Sequence, residues 1–209
     1  MLSYELVKSR LDPIVASLLL ILISPLLLAC SLLVLCTGMP ILFRQRRVGK
    51  NGKIFVVLKF RTMQPAPFQL CLSHHDSRIT WAGRILRTLR FDELPQLINV
   101  VRREMSCIGP RPQALEVDHK FAREVPGYTE RRNVLPGITG WAKVMQPNSV
   151  SGMGTAAHEY DVYYVQTKGL KLDLKILLLT PLAIVRGMRF TEKSCGIQSK
   201  ERTYTHVSS

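Results

Sequence analysis

The chain has 209 residues, of which 29 are Lys or Arg and 15 are Asp or Glu, so its formal net charge is +14. The length suits one domain with an appendage, and a composition of 46% hydrophobic and 21% charged residues excludes a disordered chain. The 13 Gly and 12 Pro follow no period, which excludes collagen-like and low-complexity classes. A chain this basic is expected to meet an anionic partner: nucleic acid, an acidic membrane surface or a phosphate-rich substrate.

The N-terminal part contains an apolar run, residues 13–43, of 31 positions without a charge. A membrane-spanning helix needs only ~20 such residues, but Ser24-Pro25 near the middle predicts a break, because Pro lacks a backbone donor and clashes with the preceding turn. Each arm is then too short to cross ~30 Å of hydrocarbon. Positive residues flank both ends: Lys8 and Arg10 before the run, and Arg44, Arg46, Arg47, Lys50 and Lys53 after it. Since positive charge favours the cytoplasmic side, these features predict a re-entrant helix hinged at Ser24-Pro25.

Other interpretations of this run remain. A straight span with a Pro kink is open, since Ser24 or neighbouring helices can satisfy the freed carbonyl. A cleaved signal peptide is disfavoured because the run is about twice the usual ~7–15 residues. Leu27-Leu28-Ala29-Cys30 resembles a lipoprotein cleavage box, yet the apolar run continues to Leu35. The five cysteines are odd in number and form no CxxC, which favours a reducing compartment over a disulfide framework.

Turn residues and apolar periodicity predict the next elements. The basic stretch Arg44–Met63 has seven Lys or Arg and no acid, with a turn signal at Gly49-Lys50-Asn51-Gly52. A short strand is predicted at Ile54–Leu58, running into Lys59–Met63. We expect a loop at 64–75 and a helix from Thr80 to Leu89.

The pattern predicts that Asp92-Glu93-Leu94-Pro95 opens a helix, because Pro is tolerated in a first turn. Four apolar residues then share one face at i, i+3, i+4 and i+7: Leu94, Leu97, Ile98 and Val101. The remaining predicted elements are a rigid loop at Gly109–Pro112, a helix to about Glu124, a tight turn at Pro136–Gly140, helices at 156–168 and 171–187, the second broken by Pro181, and a polar, mobile tail beyond Thr191.

The acidic pair Asp92-Glu93 carries the most chemical information. Helix starts favour carboxylates through free N–H groups and the helix dipole, so a simple N-cap and first-turn acid are one interpretation. Only five of the 15 acids precede Glu104, however, and a large basic excess surrounds the pair. Its neighbours include Arg61, Arg78, Arg84, Arg87 and Arg90. Two adjacent carboxylates in that setting suit a nucleophile and a Mg²⁺ ligand among phosphate-binding arginines.

Other polar residues are weaker candidates. Arg111, between two prolines, suits bidentate phosphate binding, with a structural ion pair as the alternative. Asp161 and Asp173 lie in predicted helices, where a solvated face is the default. His74-His75-Asp76 superficially suggests a metal site, but no further His or Cys follows at ligand spacing, so we predict a loop.

Together these segments resemble the bacterial sugar transferase family, the monotopic polyprenol-phosphate phosphoglycosyl transferases, over roughly residues 12–187. Each motif is short, and their number and order make the resemblance specific. They are Asp12; Ser24-Pro25; Phe43-Arg44-Gln45 with Arg47-Val48-Gly49; Lys59-Phe60-Arg61-Thr62-Met63; Asp76-Ser77-Arg78-Ile79-Thr80; Gly83-Arg84 with Leu86-Arg87; Asp92-Glu93-Leu94-Pro95-Gln96-Leu97 with Asn99-Val100; Met105-Ser106; Gly109-Pro110-Arg111-Pro112; and Pro136-Gly137-Ile138-Thr139-Gly140.

The resemblance implies an α+β, mainly helical fold in three parts. Residues 1–43 would form the re-entrant membrane helix, 44–190 a small catalytic domain with interfacial helices, and 191–209 the polar tail. The active site would lie at the cytoplasmic face of the bacterial inner membrane, in contact with its lipids. Larger members carry an additional multi-span N-terminal domain, so we expect this chain to be a minimal catalytic unit.

The resemblance also implies a ping-pong reaction. Asp92 would attack the β-phosphate of a UDP-sugar, release UMP and hold the phosphosugar until polyprenol (undecaprenyl) phosphate takes it. Glu93 would bind Mg²⁺ or act as a base for the acceptor, and Asp161 would be a further acidic site residue. Phosphates and nucleotide would be held by Lys59, Arg61, Arg78, Arg87 and Arg111. The product would start exopolysaccharide or lipopolysaccharide assembly, with downstream glycosyltransferases as partners.

Three segments depart from the family pattern, and they bear on substrate preference: Ser73-His74-His75, Arg90-Phe91 and Arg102-Arg103-Glu104. Two rival functions are considered. A membrane-tethered nucleic-acid-binding protein would explain the charge, but the sequence has no recognisable binding motif, and its aromatics are not interleaved with its basic run. An inactive scaffold of the same fold predicts that changing Asp92 leaves the cellular phenotype intact.

Overall fold

The computed structural model describes residues 2–64, 77–146 and 155–201, with side chains for 4–64, 77–146 and 157–186. The fold is mixed and mainly helical, as predicted. The helices are α1 (Leu2–Leu22), α2 (Ser24–Leu35), α3 (Trp81–Thr88), α4 (Gln96–Val101), α5 (Leu115–Glu124), α6 (Trp141–Met145), α7 (Thr155–Thr167) and α8 (Leu170–Glu201). The strands are β1 (Leu42–Val48), β2 (Ile54–Phe60), β3 (Ser106–Ile108) and β4 (Gly137–Thr139), and 3-10 turns lie at Lys50–Gly52, Phe91–Glu93 and Tyr128–Asn133.

The apolar run breaks where the sequence predicts. α2 begins at Ser24, and its axis is bent by 67° from that of α1. Within the described residues, no single helix has both the length and the apolarity needed to cross a bilayer, while Tyr4–Leu22 and Ser24–Leu35 meet these criteria as a bent pair. Leu18, Ile21 and Leu22 are 63–75% exposed, so the pair presents a contiguous apolar surface.

The basic stretch after this pair forms a hairpin. β1 and β2 are antiparallel, with Phe43 opposite Lys59 and Val48 opposite Ile54. The predicted turn and the strand β2 are confirmed, whereas β1 was missed because its three arginines obscure the alternation that marks a strand. Buried residues of β2 pack with those of α1, α4 and the segment before β3 in one core cluster: Ala16, Phe55, Val57, Leu97, Val100 and Met105.

The predicted tight turn at Pro136–Gly140 is wrong, because this segment contains β4, which pairs in parallel with β3. Its glycines are required for close packing and not for a turn. A Cβ on Gly137 would lie 2.0 Å from the nitrogen of Gly109, and one on Gly140 would lie 2.1 Å from the oxygen of Gly109. Any side chain at these positions would push the two strands apart.

The predicted helix at the acidic pair also differs. Asp92 and Glu93 lie in the 3-10 turn, which follows Arg90 in the left-handed region (φ 60°), and α4 begins only after Pro95. The predicted apolar face is wrong at its end, because Val101 is 38% exposed while polar Asn99 is fully buried. Asn99 faces inward because its side-chain amide forms hydrogen bonds with β2. It accepts from the Leu58 nitrogen at 3.0 Å and donates to the Val56 carbonyl at 2.7 Å.

The predicted helices at Thr80–Leu89 and up to Glu124 are confirmed by α3 and α5.

The expected break at Pro181 is wrong, since α8 continues through it. Thr180 Oγ1 donates to the Ile176 carbonyl at 2.7 Å, which supplies a hydrogen bond in the turn that Pro weakens. α8 is also helical to Glu201, beyond the predicted start of the tail, and 202–209 lie outside the described residues. So do 65–76, which contain most of the predicted loop and His74-His75-Asp76.

Candidate active site

Three cations from separate elements converge on one buried carboxylate, Glu93. It is 6% exposed and lies on the 3-10 turn before α4. Its Oε1 accepts from Lys59 Nζ at 2.9 Å and from Arg111 Nη2 at 3.4 Å, and its Oε2 accepts from Lys143 Nζ at 3.2 Å. Lys59 comes from β2, Arg111 from the loop after β3 and Lys143 from α6. We call these four residues the Glu93 cluster.

The charges in this cluster shift one another's pKa values. Burial by itself would raise the pKa of Glu93, but Lys59, Lys143 and Arg111 hold that pKa well below its usual range. Burial lowers the pKa of Lys59, and Glu93 opposes that shift. Because Glu93 stays ionised at neutral pH, the cluster keeps three positive charges around one negative charge.

Asp92 is half-buried beside this cluster. Burial and the neighbouring charge of Glu93 raise the pKa of Asp92, while Lys59, Arg87 and Arg90 lower it. Among the described residues, no side chain or main-chain group donates a hydrogen bond to its carboxylate. A carboxylate beside a cationic cluster can act as a nucleophile once it is ionised.

The loop that carries Arg111 is fixed by its carbonyl groups. Pro110 and Pro112 have no N–H, so main-chain anchoring on either side of Arg111 depends on the oxygens. Four successive carbonyls each accept from a different donor: Pro110 from the Gly137 nitrogen (2.8 Å), Arg111 from Arg131 Nη2 (2.7 Å), Pro112 from Arg47 Nη1 (3.1 Å) and Gln113 from the Val48 nitrogen (3.1 Å). The position of Arg111 is therefore determined by β1, β4 and the 3-10 turn Tyr128–Asn133.

Asp161 is connected to this loop through Arg131. It is 4% exposed on α7, and its Oδ2 accepts from Arg131 Nη2 at 2.6 Å. Burial raises the pKa of Asp161 to about 6, and the Arg131 guanidinium opposes that shift. The predicted contact of Asp161 with substrate stays a prediction, and in the structure its carboxylate faces another buried side chain.

The remaining predicted phosphate ligands have varied surroundings. Arg61 is 7% exposed and donates to three acceptors in the segment after α2: the Met39 and Gly38 carbonyls at 3.1 and 2.6 Å and Thr37 Oγ1 at 3.2 Å. Arg87 donates from Nε to Thr62 Oγ1 at 2.9 Å. Arg78 is half-buried just before α3. The structure thus brings together Lys59, Asp92, Glu93 and Arg111, while substrate contacts by the other three arginines stay predictions.

The family model for bacterial sugar transferases matches residues 3–187. The chain belongs to the bacterial sugar transferase family. It is 38% identical over 189 residues to the UDP-N-acetylgalactosamine-undecaprenyl-phosphate N-acetylgalactosaminephosphotransferase of Aeromonas hydrophila, covering 88% of this chain and 45% of that protein. It is 42% identical over 187 residues to the UDP-glucose:undecaprenyl-phosphate glucose-1-phosphate transferase of Caulobacter vibrioides, covering 84% of this chain and 68% of that protein.

An exopolysaccharide production protein of Sinorhizobium fredii is 36% identical over 196 residues, covering 85% of this chain and 84% of that protein. The chain thus spans less than half of the Aeromonas relative and most of the Sinorhizobium one. The predicted family is confirmed, and the family is membrane-associated.

Two residues of this sugar transferase were missed in the sequence. Lys143 is the one charged residue of α6, among Trp141, Ala142, Val144 and Met145, and a lone cation in an apolar segment was the available signal. Arg131 had no such signal. It stands next to Arg132, which pairs with Asp118, and only the three-dimensional contacts separate their roles.

Proposed function

We propose that the protein transfers a sugar-1-phosphate from a UDP-sugar to undecaprenyl phosphate and releases UMP, as the first step in assembling a surface glycan or exopolysaccharide. The observation that carries this proposal is the Glu93 cluster with Asp92 beside it. The names of the Aeromonas and Caulobacter relatives support the same donor and acceptor classes.

The cluster suits phosphoryl transfer because its cations exceed its anions. Lys59, Arg111 and Lys143 surround Glu93, so a diphosphate adds negative charge where positive charge is in excess. Such groups stabilise the charge on the oxygens of a transferring phosphoryl group.

The reaction proceeds in two displacements at one phosphorus. An Asp92 carboxylate oxygen forms a bond to the β-phosphorus of the UDP-sugar, the bond from that phosphorus to the bridging oxygen breaks, and UMP leaves with that oxygen. A phosphate oxygen of undecaprenyl phosphate then attacks the same phosphorus and displaces Asp92. A covalent intermediate lets two bulky anionic substrates use one site in turn.

The low pKa of Glu93 favours a Mg²⁺ ligand over a general base, because a base needs a pKa near the working pH. Mg²⁺ is commonly held by one or two carboxylates together with substrate phosphates. Glu93 would be the protein ligand here, together with the substrate phosphates, and the described residues contain no group of three or more His, Cys, Asp or Glu arranged for a metal. When bound, Mg²⁺ would supply charge neutralisation on the diphosphate.

The lipid acceptor explains a site beside an apolar helix pair. α1 and α2 form a bent apolar pair with basic flanks, consistent with re-entry at the cytoplasmic face of the inner membrane. On α3 and its C-cap, Trp81, Ile85 and Leu89 are 45–56% exposed at helical spacing, as expected of an interfacial helix.

UMP release from a panel of UDP-sugars tests the proposal, using protein in nanodiscs with Mg²⁺ and undecaprenyl phosphate. We expect release from one donor, and a loss of about a thousandfold or more in Asp92→Asn, since an amide is a poor nucleophile. Glu116→Gln, on the exposed side of α5, is the matched control and should retain full activity. Absence of release from every donor by folded protein would favour an inactive scaffold.

A further inference from the structure

The Arg131 side chain contacts the Glu93 cluster at the main-chain carbonyl of Arg111. Resting on the proposed function, we infer that Arg131, held by Asp161, is a positioning residue that sets the place of Arg111 against the donor diphosphate. The buried Arg131–Asp161 pair would then act on the first displacement through Arg111 alone.

The Arg131 side chain connects the 3-10 turn Tyr128–Asn133 to the loop of Arg111 and to Asp161 on α7. We call this set of contacts the brace. Arg131 is 6% exposed and donates to the Arg111 carbonyl at 2.7 Å, to Asp161 Oδ2 at 2.6 Å and to Tyr128 Oη at 2.7 Å. Its guanidinium carbon also lies 5.1 Å from the centre of the Tyr128 ring. A planar guanidinium with five N–H donors can serve three acceptors in fixed directions, which a lysine ammonium at the same place cannot do.

Asp161 makes this brace possible. A buried guanidinium is stable only with a partner that compensates its lost hydration, and Asp161 supplies one from α7. Asp161 is 4% exposed, and its Oδ2 is bonded to Arg131. Its effect on the reaction is therefore expected to pass through Arg131.

The brace matters because the Arg111 side chain is comparatively free. It is 35% exposed, and its ionic contact with Glu93 is long at 3.4 Å. The direction of the Arg111 side chain therefore depends on the position of its backbone. Because the flanking prolines have no N–H, that backbone is anchored through its carbonyl groups. Without Arg131 the Arg111 carbonyl loses its donor, and a displacement of about 1 Å in a phosphate-binding group costs up to ~100-fold in rate.

A double-mutant cycle on Arg111 and Arg131 tests this inference. Single-turnover UMP release and UDP affinity would be measured for wild type, Arg111→Met, Arg131→Met and the double variant, per folded protein. We expect Arg131→Met to slow release by about 10- to 100-fold and to cause less than about threefold further loss once Arg111 is Met. Arg131→Lys, which keeps the charge and loses the fork, should remain impaired.

Arg132→Met is the matched control, because Arg132 is the next residue in the same turn and pairs with Asp118 instead. It should stay within about twofold of wild type in release. Losses that multiply in the double variant, normal release by Arg131→Lys, or an equal loss in Arg132→Met would each overturn the positioning role. If Arg131→Met does not fold, Asp161→Asn takes its place in the cycle with the same expectation.

The UDP measurement separates this inference from the proposed function. If wild type binds UDP but releases no UMP from any donor, the proposed function fails, and the cycle in UDP affinity still decides whether Arg131 acts through Arg111. If wild type binds no UDP and releases no UMP, both fail.

Discussion

Two carboxylates, Glu93 and Asp173, each join several elements, but their surroundings differ in charge. Glu93 takes three cations. Asp173 takes two neutral hydroxyls and one cation: its Oδ2 accepts from Tyr4 Oη and from Lys8 Nζ, both at 2.6 Å, and its Oδ1 accepts from Tyr164 Oη at 2.9 Å. Lys8 is in turn 3.7 Å from Asp12.

This difference in charge distinguishes a site for an anionic ligand from a cluster that only links structural elements. We call the second cluster, around Asp173 and Asp12, the Asp173 joint. Around Glu93 and Asp92, positive charges outnumber negative ones, so a further anion finds cations that are only partly neutralised. Around Asp173 and Asp12, one ammonium serves two carboxylates and hydroxyls complete the contacts, including Ser106 Oγ to Asp12 Oδ2 at 2.5 Å. We conclude that the second cluster, which links α1 to β3 and α8, fixes the N-terminal helix and leaves no cation for a ligand.

Among the variants that test the difference between these two clusters, Glu93→Gln should have the largest effect. The three cations lose their common anion and the proposed Mg²⁺ loses a ligand, so we expect UMP release to fall by about 100-fold or more, equivalent to ~3 kcal/mol. The rate of UMP release per molecule of folded protein checks this expectation. Thermal unfolding in the absence of UDP gives the folded fraction. Release close to that of wild type would show that the charge of Glu93 has no part in the reaction.

The residues at the centre of this candidate site could be selected from the sequence. Asp92, Glu93 and Arg111 were selected because carboxylates and cations of these types suit phosphoryl transfer, Lys59 was implied by the resemblance to the family, and the structure places the four together. Lys143 and Arg131 were not selected, because their roles depend on which chain segments meet. Nothing local to the sequence indicates that α6 lies against the acidic pair.

The same limit applies to the fold. The hinge at Ser24-Pro25 and the turn between β1 and β2 were predictable, because Pro and Gly act on their immediate neighbours. The pairing of β3 with β4 joins segments about 30 residues apart, and Gly137 is required there by a backbone that local patterns do not reveal. Asn99 was likewise unpredictable, since its partners are carbonyl and N–H groups of β2.

Asp173→Asn should destabilise the protein without impairing the chemistry. Lys8 loses its closest anion in a region where both side chains are 18% exposed or less, so we expect the free energy of unfolding to fall by about 2 kcal/mol. Thermal unfolding in detergent measures this loss, and UMP release per folded protein should stay within about twofold. Glu5→Gln is the matched control: Glu5 also joins α1 to other elements, through Lys50 and Lys168, but its side chain is 36% exposed, so less than about 1 kcal/mol is expected. A large fall in activity with unchanged stability would place Asp173 in the site.

Lys143→Gln should give the smallest effect, and it separates the charge of Lys143 from its hydrogen bonds. Glutamine can still donate to Glu93 and to the Ile138 carbonyl, which Lys143 Nζ contacts at 3.2 Å, but it lacks the positive charge. If the excess charge of the Glu93 cluster serves to bind the diphosphate, the KM for the UDP-sugar should rise by about tenfold, or ~1.4 kcal/mol, with little change in stability. Lys143→Arg, which restores the charge, should recover most of the affinity. An unchanged KM in Lys143→Gln would mean that Lys143 only neutralises Glu93, and the cation excess that distinguishes this cluster from the Asp173 joint would then rest on Lys59 and Arg111.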